Sequence, residues 1–370
     1  MSTLSDRLAP GRRDAVRRGG KRRGRLVAAA ATAWLVFVVL HLLLSGRFWL
    51  WLVPDLVPPL VYLAVPLLLV AALPLTRGRA RLWCAGATAV AFALGAGQSG
   101  LDPAALRAGG EPPPPGSIRL VSWNTEYWDQ DDDPERFYGL LKARNADVYV
   151  LQEYLNWVDG TPRRVDEQAR LRREFPGYHI AVQGELVTLS RFPIVSTVPV
   201  GPARSLGPRP PWDSAFALGK VLRTDLRIGP SIVSLYNVHI PTQYMLDENP
   251  FASRFYTALR GRAAARQAQF RGLEEDLAGN HRPVVVAGDF NSTGAMGEMR
   301  GLFDRLSSAD RAGDSLMPTS WPADGPALWR LDWIFTASLA VHDYRLLDPR
   351  GMSDHRMQET RLSVKGGGGA

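Results

Sequence analysis

Eight polar residues stand where apolar runs begin or end, and their types suit one chemistry. Asn124 closes "IRLVSWN", Glu153 closes "VYVLQE", His239 closes "SIVSLYNVH", and Asp289 and Asn291 close "RPVVVAGDFN". Asp332 sits in "RLDWIF", and Asp354 and His355 belong to "SDHRM" near the end of the chain. Carboxylates and amide oxygens are hard ligands for a divalent cation, an Asp can orient or deprotonate water, and histidines can contact a phosphate. Together they fit metal-assisted hydrolysis. A phosphate diester anion repels hydroxide, so its hydrolysis needs a cation, a positioned water and donors on the non-bridging oxygens. Taken singly, each residue also has an ordinary reading, an Asn as a turn residue or a Glu as a solvated strand end. The combination is what points to chemistry.

Ser353, Asp354 and His355 are adjacent in "GMSDHRMQET", which invites a nucleophilic triad. Neighbours along one extended strand point alternately to opposite faces, so the three cannot hydrogen-bond in series. The partner of His355 must come from elsewhere in the chain.

The elements that position these residues are short. "IRLVSWN" alternates as a strand does, and "VYVLQE", "LVTLS", "SIVSLYNVHI", "RPVVVAGDFN" and "RLDWIFTA" read as further apolar strands. "DDPERFYGLLKARNADV" predicts a helix with Asp133 as N-cap and Pro134 in its first turn. An Arg-rich helix is expected over about Arg254 to Leu277. Strands and helices mixed on this scale predict an α/β or α+β sandwich. Gly288 permits a tight turn that exposes Asp289 and Asn291 together.

In this order, "SWN", "LQE", "LSRFPI", "NVHIP", "GDFNS", "LDWIF" and "SDHRM" resemble the motifs of the endonuclease/exonuclease/phosphatase superfamily, the deoxyribonuclease-like phosphohydrolases. The resemblance covers about Ser117 to Val364. It implies an α+β fold, a four-layer α-β-β-α sandwich, with the site at one end of two packed sheets. It also implies that Glu153 is the main Mg2+ or Mn2+ ligand, with Asn124 and Asp354 close by. Asp289 would orient or deprotonate the attacking water, and Asn291 would donate to the phosphoryl oxygens. His239 would contact the phosphate and donate a proton; His355 would be the second histidine, held by Asp332, with Ser353 shaping the backbone beside it. After Asn124 this chain departs from the family, with the acidic loop "TEYWDQDDD". Glu126 there is either an extra ligand or a solvated side chain, the latter favoured. The aromatic segment Pro241 to Tyr256 is a substrate lip, a loop that dips toward the lipid surface, or a packed loop, and Pro202 to Trp212 is a proline-rich excursion without an assigned role.

Charge separates the chain into two parts. Residues 1–100 carry 13 Lys/Arg against 3 Asp/Glu, and the remaining residues carry 31 against 33. The catalytic part therefore has no global positive field to draw in a polyanion. Leu26 to Leu44 is uncharged and long enough to cross about 30 Å of hydrocarbon. A second apolar run, about Leu50 to Leu75, holds five prolines, and a third runs from Leu82 to about Ala96. Nine Lys/Arg precede the first run, and Arg77, Arg79 and Arg81 lie between the second and third. By the positive-inside rule, three transmembrane helices leave the N-terminus cytoplasmic and the catalytic domain outside the plasma membrane.

The expected organisation is a basic tail (1–25), three transmembrane helices (26–100), a Pro-rich linker (101–116) built on "EPPPPGS", a catalytic domain (117–364) and a flexible tail (365–370). The leading expectation is a membrane-anchored phosphohydrolase that cleaves a phosphodiester, in nucleic acid or in a phospholipid headgroup, with the lipid bilayer as its second partner. The alternatives are a catalytically inactive, membrane-tethered binding module and a phosphomonoesterase.

Overall fold

Alternation along each apolar run assigns its residues to the two faces of a strand, and the fold follows from what covers each face. The computed structural model describes residues 10–107, 112–128, 133–243 and 248–365. The flexible tail expected after residue 365, and parts of the acidic loop and of the Pro241–Tyr256 segment, lie outside the described residues.

In chain order the elements are α1 (Pro10–Leu44), α2 (Val61–Ala72), α3 (Arg79–Gly95), β1 (Ile118–Asn124), α4 (Pro134–Arg144), β2 (Val148–Gln152), β3 (Leu155–Val158) and β4 (Thr161–Arg164). They continue with α5 (Gln168–Glu174), β5 (His179–Gln183), β6 (Leu186–Ser190), β7 (Ile194–Pro199), α6 (Trp212–Leu218), β8 (Val221–Ile228) and β9 (Ser231–His239). The last are α7 (Ser253–Ala278), β10 (Val284–Asp289), α8 (Arg300–Arg305), β11 (Ser307–Ser308), β12 (Asp332–Ala337), β13 (Leu339–Leu347) and β14 (Met357–Val364).

One sheet has the order β13-β14-β1-β2-β6-β5, the other β11-β12-β10-β9-β8-β7, and β3-β4 form a separate hairpin. Both sheets are mixed: β1 and β2 pair in parallel, as do β9 and β10, and the other pairs are antiparallel. Trp123, Tyr149 and Leu151 pack outward against Phe137, Leu141 and Leu171 of α4 and α5. On the far side Tyr236, Val238 and Val286 pack against Phe270 and Leu273 of α7. Between the sheets lie Leu120, Val150, Leu235, Val285 and Ile334. Helix, sheet, sheet and helix are thus separated by three apolar layers, as period-two strands buried on both faces require. Polar contacts also bridge the sheets: Gln152 Nε2 donates to Asn237 Oδ1 at 2.8 Å, and Asn237 Nδ2 donates to Leu151 O and Val187 O. α4 starts as its sequence predicts, with the Asp133 carboxylate accepting the Glu135 N–H and Pro134 in the first turn.

The N-terminal part packs as three helices. Arg22–Leu44 and Arg79–Gln98 are each long and apolar enough to cross a membrane, whereas Trp49–Leu56 and Val61–Leu75 qualify only as a pair bent by 63°. The bend falls at Pro58 and Pro59, which lack N–H donors and disfavour helix in the residue before them. Residues 10–25, expected as a tail, continue α1. Ala31 packs with Leu69 and Cys84, and Val38 with Tyr62 and Ala91. Advancing along α1 therefore advances along α3 and retreats along α2.

A spacer holding the two parts away from each other was expected, and the structure shows direct docking. His41 Nε2 donates to Ala295 O at 2.8 Å, the Gly297 N–H to Ser45 Oγ at 2.7 Å, and Arg300 to Leu42 O at 3.0 Å. Trp329 Nε1 donates to Leu56 O at 2.9 Å, and Leu52 packs among Phe255, Leu259 and Ala263 of α7. Within the expected linker, Pro103–Arg107 forms a 3-10 turn and the Asp102 N–H bonds Leu316 O at 2.9 Å.

Candidate active site

Strand register gathers the polar residues at one end of the sandwich. Asp289 on β10 is paired with His239 on β9 and with Asp332 on β12, and Asn124 is paired with Gln152. Asn124, His239, Asp289 and Asp332 each fall an even number of positions from residues of the inter-sheet core, namely Leu120, Leu235, Val285 and Ile334. They therefore share its face, at the end where the sheets part. Glu153 and Asn291 lie just past strand ends with φ of 63° and 47°, left-handed values that turn both side chains into the site. Gly288 has φ 143°, and a Cβ there would meet Val238 O at 1.9 Å. Only glycine lets β10 bring Asp289 beside His239 in this way.

The side chains converge on Asp289. Asn124 Nδ2 donates to Asp289 Oδ2 and to Glu153 Oε1, each at 3.0 Å, while its carbonyl accepts the Glu126 N–H. His239 Nε2 and His355 Nε2 lie 3.7 and 3.8 Å from the same Asp289 Oδ2. Each histidine has its own carboxylate on the opposite sheet. His355 Nδ1 donates to Asp332 Oδ2 at 2.8 Å, and His239 Nδ1 lies 3.1 Å from Glu185 Oε1. Lys220 Nζ bonds the same Glu185 oxygen, and all three members of that group are buried. Ser320 Oγ accepts the N–H groups of Leu331 and Asp332, fixing the strand start that carries Asp332.

Electrostatics separates the roles. Burial raises the Asp289 carboxyl to about 6, offset in part by His355 and joined by Asp332. For His355, burial favours the neutral ring, but Asp332 and Asp289 outweigh it and hold its pKa well above the usual imidazole value. His239 is also raised, Glu185 overcoming its burial. Burial would raise Glu185, yet His239 and Lys220 hold it at about 2. Burial and the neighbouring Asp354 raise Glu126.

The donors suit a hard cation. Asn124, Glu126, Glu153, Asp289 and Asp354 line one cavity of about 340 Å³, with no Lys or Arg among its lining residues. Four carboxylates facing one space, with His355 beside them and no described Lys or Arg, suit a divalent cation with oxygen ligands. Ligand atoms of Asp289, Asp332 and His355 also lie within 4.8 Å of one another. There Asp332 Oδ2 is already bonded to His355, and on the other side of Asp289 the two Glu153 oxygens accept from Asn124 Nδ2 and the Tyr127 N–H.

Three expectations change with the geometry. Asn291, expected to donate to phosphoryl oxygens, directs its Nδ2 to Ile240 O at 2.9 Å and Asp289 Oδ2 at 3.2 Å. Its left-handed backbone folds it back on Asp289, which it holds by its own N–H at 2.7 Å as well. The Ser353–His355 stretch is a turn before β14, in which Ser353 Oγ donates to Asn124 O and accepts the His355 N–H. Asp354 sits at the rim, its side chain 41% exposed and bonded to Trp321 Nε1 at 2.7 Å. Glu126, favoured as a solvated side chain, is exposed but accepts the Asp354 N–H at 2.6 Å and lines the cavity. Sequence reading missed Glu185, Lys220 and Ser320. Glu185 had a visible signal, an acidic residue directly before the apolar run "LVTLS", the mirror of Glu153 after its own run.

A family model described as the Endonuclease/Exonuclease/phosphatase family matches residues 121–355. Similar solved structures include an endonuclease/exonuclease/phosphatase from Bacteroides vulgatus, at 17% identity and TM-score 0.48, covering 67% of this chain and 99% of that one. A mannosyl-6-phosphatase from Bacteroides thetaiotaomicron has 15% identity and TM-score 0.47, covering 67% of this chain and 100% of that one. A 3′ phosphatase from Neisseria bound to a product DNA hairpin has 17% identity and TM-score 0.46, covering 66% and 99%. No curated protein matches the chain.

Proposed function

The chain belongs to the endonuclease/exonuclease/phosphatase family, a family of phosphoester hydrolases, and from that premise we propose that it is a membrane-anchored, metal-dependent phosphohydrolase cleaving a phosphodiester with an activated water. One observation carries the reading: a single buried Asp289 oxygen lies 3.7 and 3.8 Å from two imidazoles, each paired with its own carboxylate. That is the layout of a base flanked by two cationic donors.

Asp289, held by the N–H and amide of Asn291, takes a proton from the water that attacks phosphorus. His355, kept cationic by Asp332, presents Nε2–H to a non-bridging oxygen. As the ester P–O bond breaks, His239 passes its Nε2 proton to the leaving oxygen, giving an alcohol. Asn124 brackets Glu153 and Asp289 and fixes their spacing. A divalent cation, Mg2+ or Mn2+, held by Glu153, Asn124 and Asp354, would polarise the phosphoryl oxygens and offset the charge that develops on them.

Membrane anchoring through three crossings is supported by the packing. α1 and α3 run parallel and both end at the sandwich, so a chain joining them through the bent proline-rich stretch has to cross back. With the basic N-terminus and Arg77, Arg79 and Arg81 on one side, the catalytic domain, about 117–364, lies outside the cytoplasm. Alkaline phosphatase fused after residue 100 should be active if so, and inactive if the domain is cytoplasmic.

The test of function uses the full chain in detergent with bis-p-nitrophenyl phosphate and p-nitrophenyl phosphate, in Mg2+, Mn2+ or EDTA. Metal-dependent turnover of the diester, lost in Asp289→Asn, is expected. Preference for the monoester would make the protein a phosphomonoesterase. No turnover of either, with metal binding retained, would leave a binding module.

A further inference from the structure

The candidate cavity has a second wall that phosphate chemistry does not require. Besides Asn124, Glu153 and Asp289, the cavity is lined by Leu56, Met296, Trp321, Trp329 and Leu331. Leu56 is not part of the sandwich: it comes from the connection between α1 and α2, at the end of the apolar helices. Its carbonyl accepts the Trp329 indole N–H, so membrane part and sandwich together close this wall.

The orientation of the cavity is fixed by the docking. His41, Ser45 and Leu42 at the end of α1 bond Ala295, Gly297 and Arg300, in the segment that follows Asn291. The two backbones touch there, since a Cβ at Gly297 would meet Ser45 O at 2.0 Å. The sandwich cannot turn its cavity away from the helix ends while these contacts hold. Around the same connection Phe48, Leu50 and Val53 are exposed, and Phe251, just before α7, is 96% exposed. Exposed aromatic and aliphatic side chains at the ends of spanning helices are what a bilayer interface accepts.

Charge argues the same way. A nucleic acid binds through Lys and Arg that track its phosphates. Among the described residues, no Lys or Arg lines this cavity. In the adjoining apolar hollow, which shares Tyr127, Glu153 and Thr242 with it, Lys220 and Arg262 are already paired with Glu185 and Glu248. A volume of about 340 Å³ suits a single headgroup.

We propose that the phosphoester is carried on a membrane amphiphile, whose apolar portion adjoining the phosphate lies against Leu56, Met296, Trp321 and Trp329 while the phosphate reaches Asp289. This rests on the phosphohydrolase reading above and commits it to a lipid class of substrate.

Two probes with the same chromophore test it on the full chain in dodecyl maltoside micelles: hexadecyl p-nitrophenyl phosphate and ethyl p-nitrophenyl phosphate. A single-stranded oligonucleotide is the third substrate. kcat/KM for the hexadecyl ester should exceed that for the ethyl ester at least about a hundredfold, because several methylenes leave water on binding. Leu56→Asn should cut that ratio about tenfold or more, and Leu56→Met should keep it. Equal rates on the two esters, or a ratio untouched by Leu56→Asn, would overturn the lipid assignment and leave the hydrolase standing. An oligonucleotide cleaved faster than either ester would overturn it in favour of nucleic acid. No turnover of any of the three would remove the hydrolase reading and this inference with it.

Discussion

The two histidine pairs of the site look alike and are not. Each joins the sheets, each places an imidazole against Asp289, and each is buried. The Asp332 carboxylate hydrogen-bonds His355 alone among the described side chains, while Ser320 and Arg330 hold its backbone. Glu185 divides its charge between His239 and Lys220. An undivided carboxylate raises its histidine further, which matches a pKa well above the ordinary value for His355 and a smaller rise for His239. Net charge within the pair, more than the pair itself, therefore decides how firmly each imidazole holds its proton.

Removing each carboxylate in turn breaks the comparison most sharply. Asp332→Asn should lower kcat about a thousandfold, as loss of the group that orients a catalytic histidine does elsewhere, with a smaller loss of stability than Glu185→Gln gives. Glu185→Gln should act mainly on stability, because it strands Lys220 without a counter-charge in a buried site. A loss of about 3–5 kcal/mol is expected, read from urea unfolding of the full chain in detergent. Adding Lys220→Met should recover most of it. Equal kinetic losses and equal stability losses in the two single variants would show that the pairs are equivalent.

The pH dependence of stability follows with opposite signs. Glu185 titrates at about 2 in the folded chain, below its unfolded value of about 4.3. The stability it contributes is present above the unfolded value and is lost as pH falls toward 2. His239 and His355 are raised above an unfolded value of about 6.5. Their contribution is present below that value and is lost as pH rises through their folded values. Unfolding measured across this range should show an acid limb that the Glu185→Gln/Lys220→Met variant lacks. Imidazole NMR resonances should show His355 keeping its charge to higher pH than His239.

Much of this site was legible in the sequence because strands write their faces with period two and stop at polar residues. Asn124, His239 and Asp289 could be read from where apolar runs end, and their parity with Leu120, Leu235 and Val285 put them on one face. Cross-sheet partnership has no such signature. Glu185 and Lys220 are 35 positions apart, one in the β5–β6 turn of one sheet and the other just before β8 of the other, and nothing local to either predicts the other. Asn291 was legible as a site residue but not in its role, which depends on a left-handed φ of 47°. The docking of α1 on Ala295 and Gly297 was hidden for the same reason: a proline-rich linker reads as a spacer whether or not other contacts fold the two parts together.

The smallest expected effect sharpens the comparison furthest. Ser320 Oγ accepts the Leu331 and Asp332 N–H groups at 3.0 and 3.1 Å, and so acts on the His355 pair and not on the His239 pair. Ser320→Ala leaves two N–H groups near the buried end of β12 without this acceptor, at about 1–3 kcal/mol of stability. If that were all, kcat and its pH profile would stay put while the melting temperature fell. If Ser320 positions Asp332, the looser carboxylate holds His355 less firmly, its charged form is less favoured, and the basic limb of the kcat profile moves to lower pH. A shift of that limb, with a fall in kcat of about tenfold or less and no change in the His239 resonance, is the expected result. A fall in stability alone would reduce Ser320 to a structural part of the strand start and leave the His355 pair defined by Asp332 only.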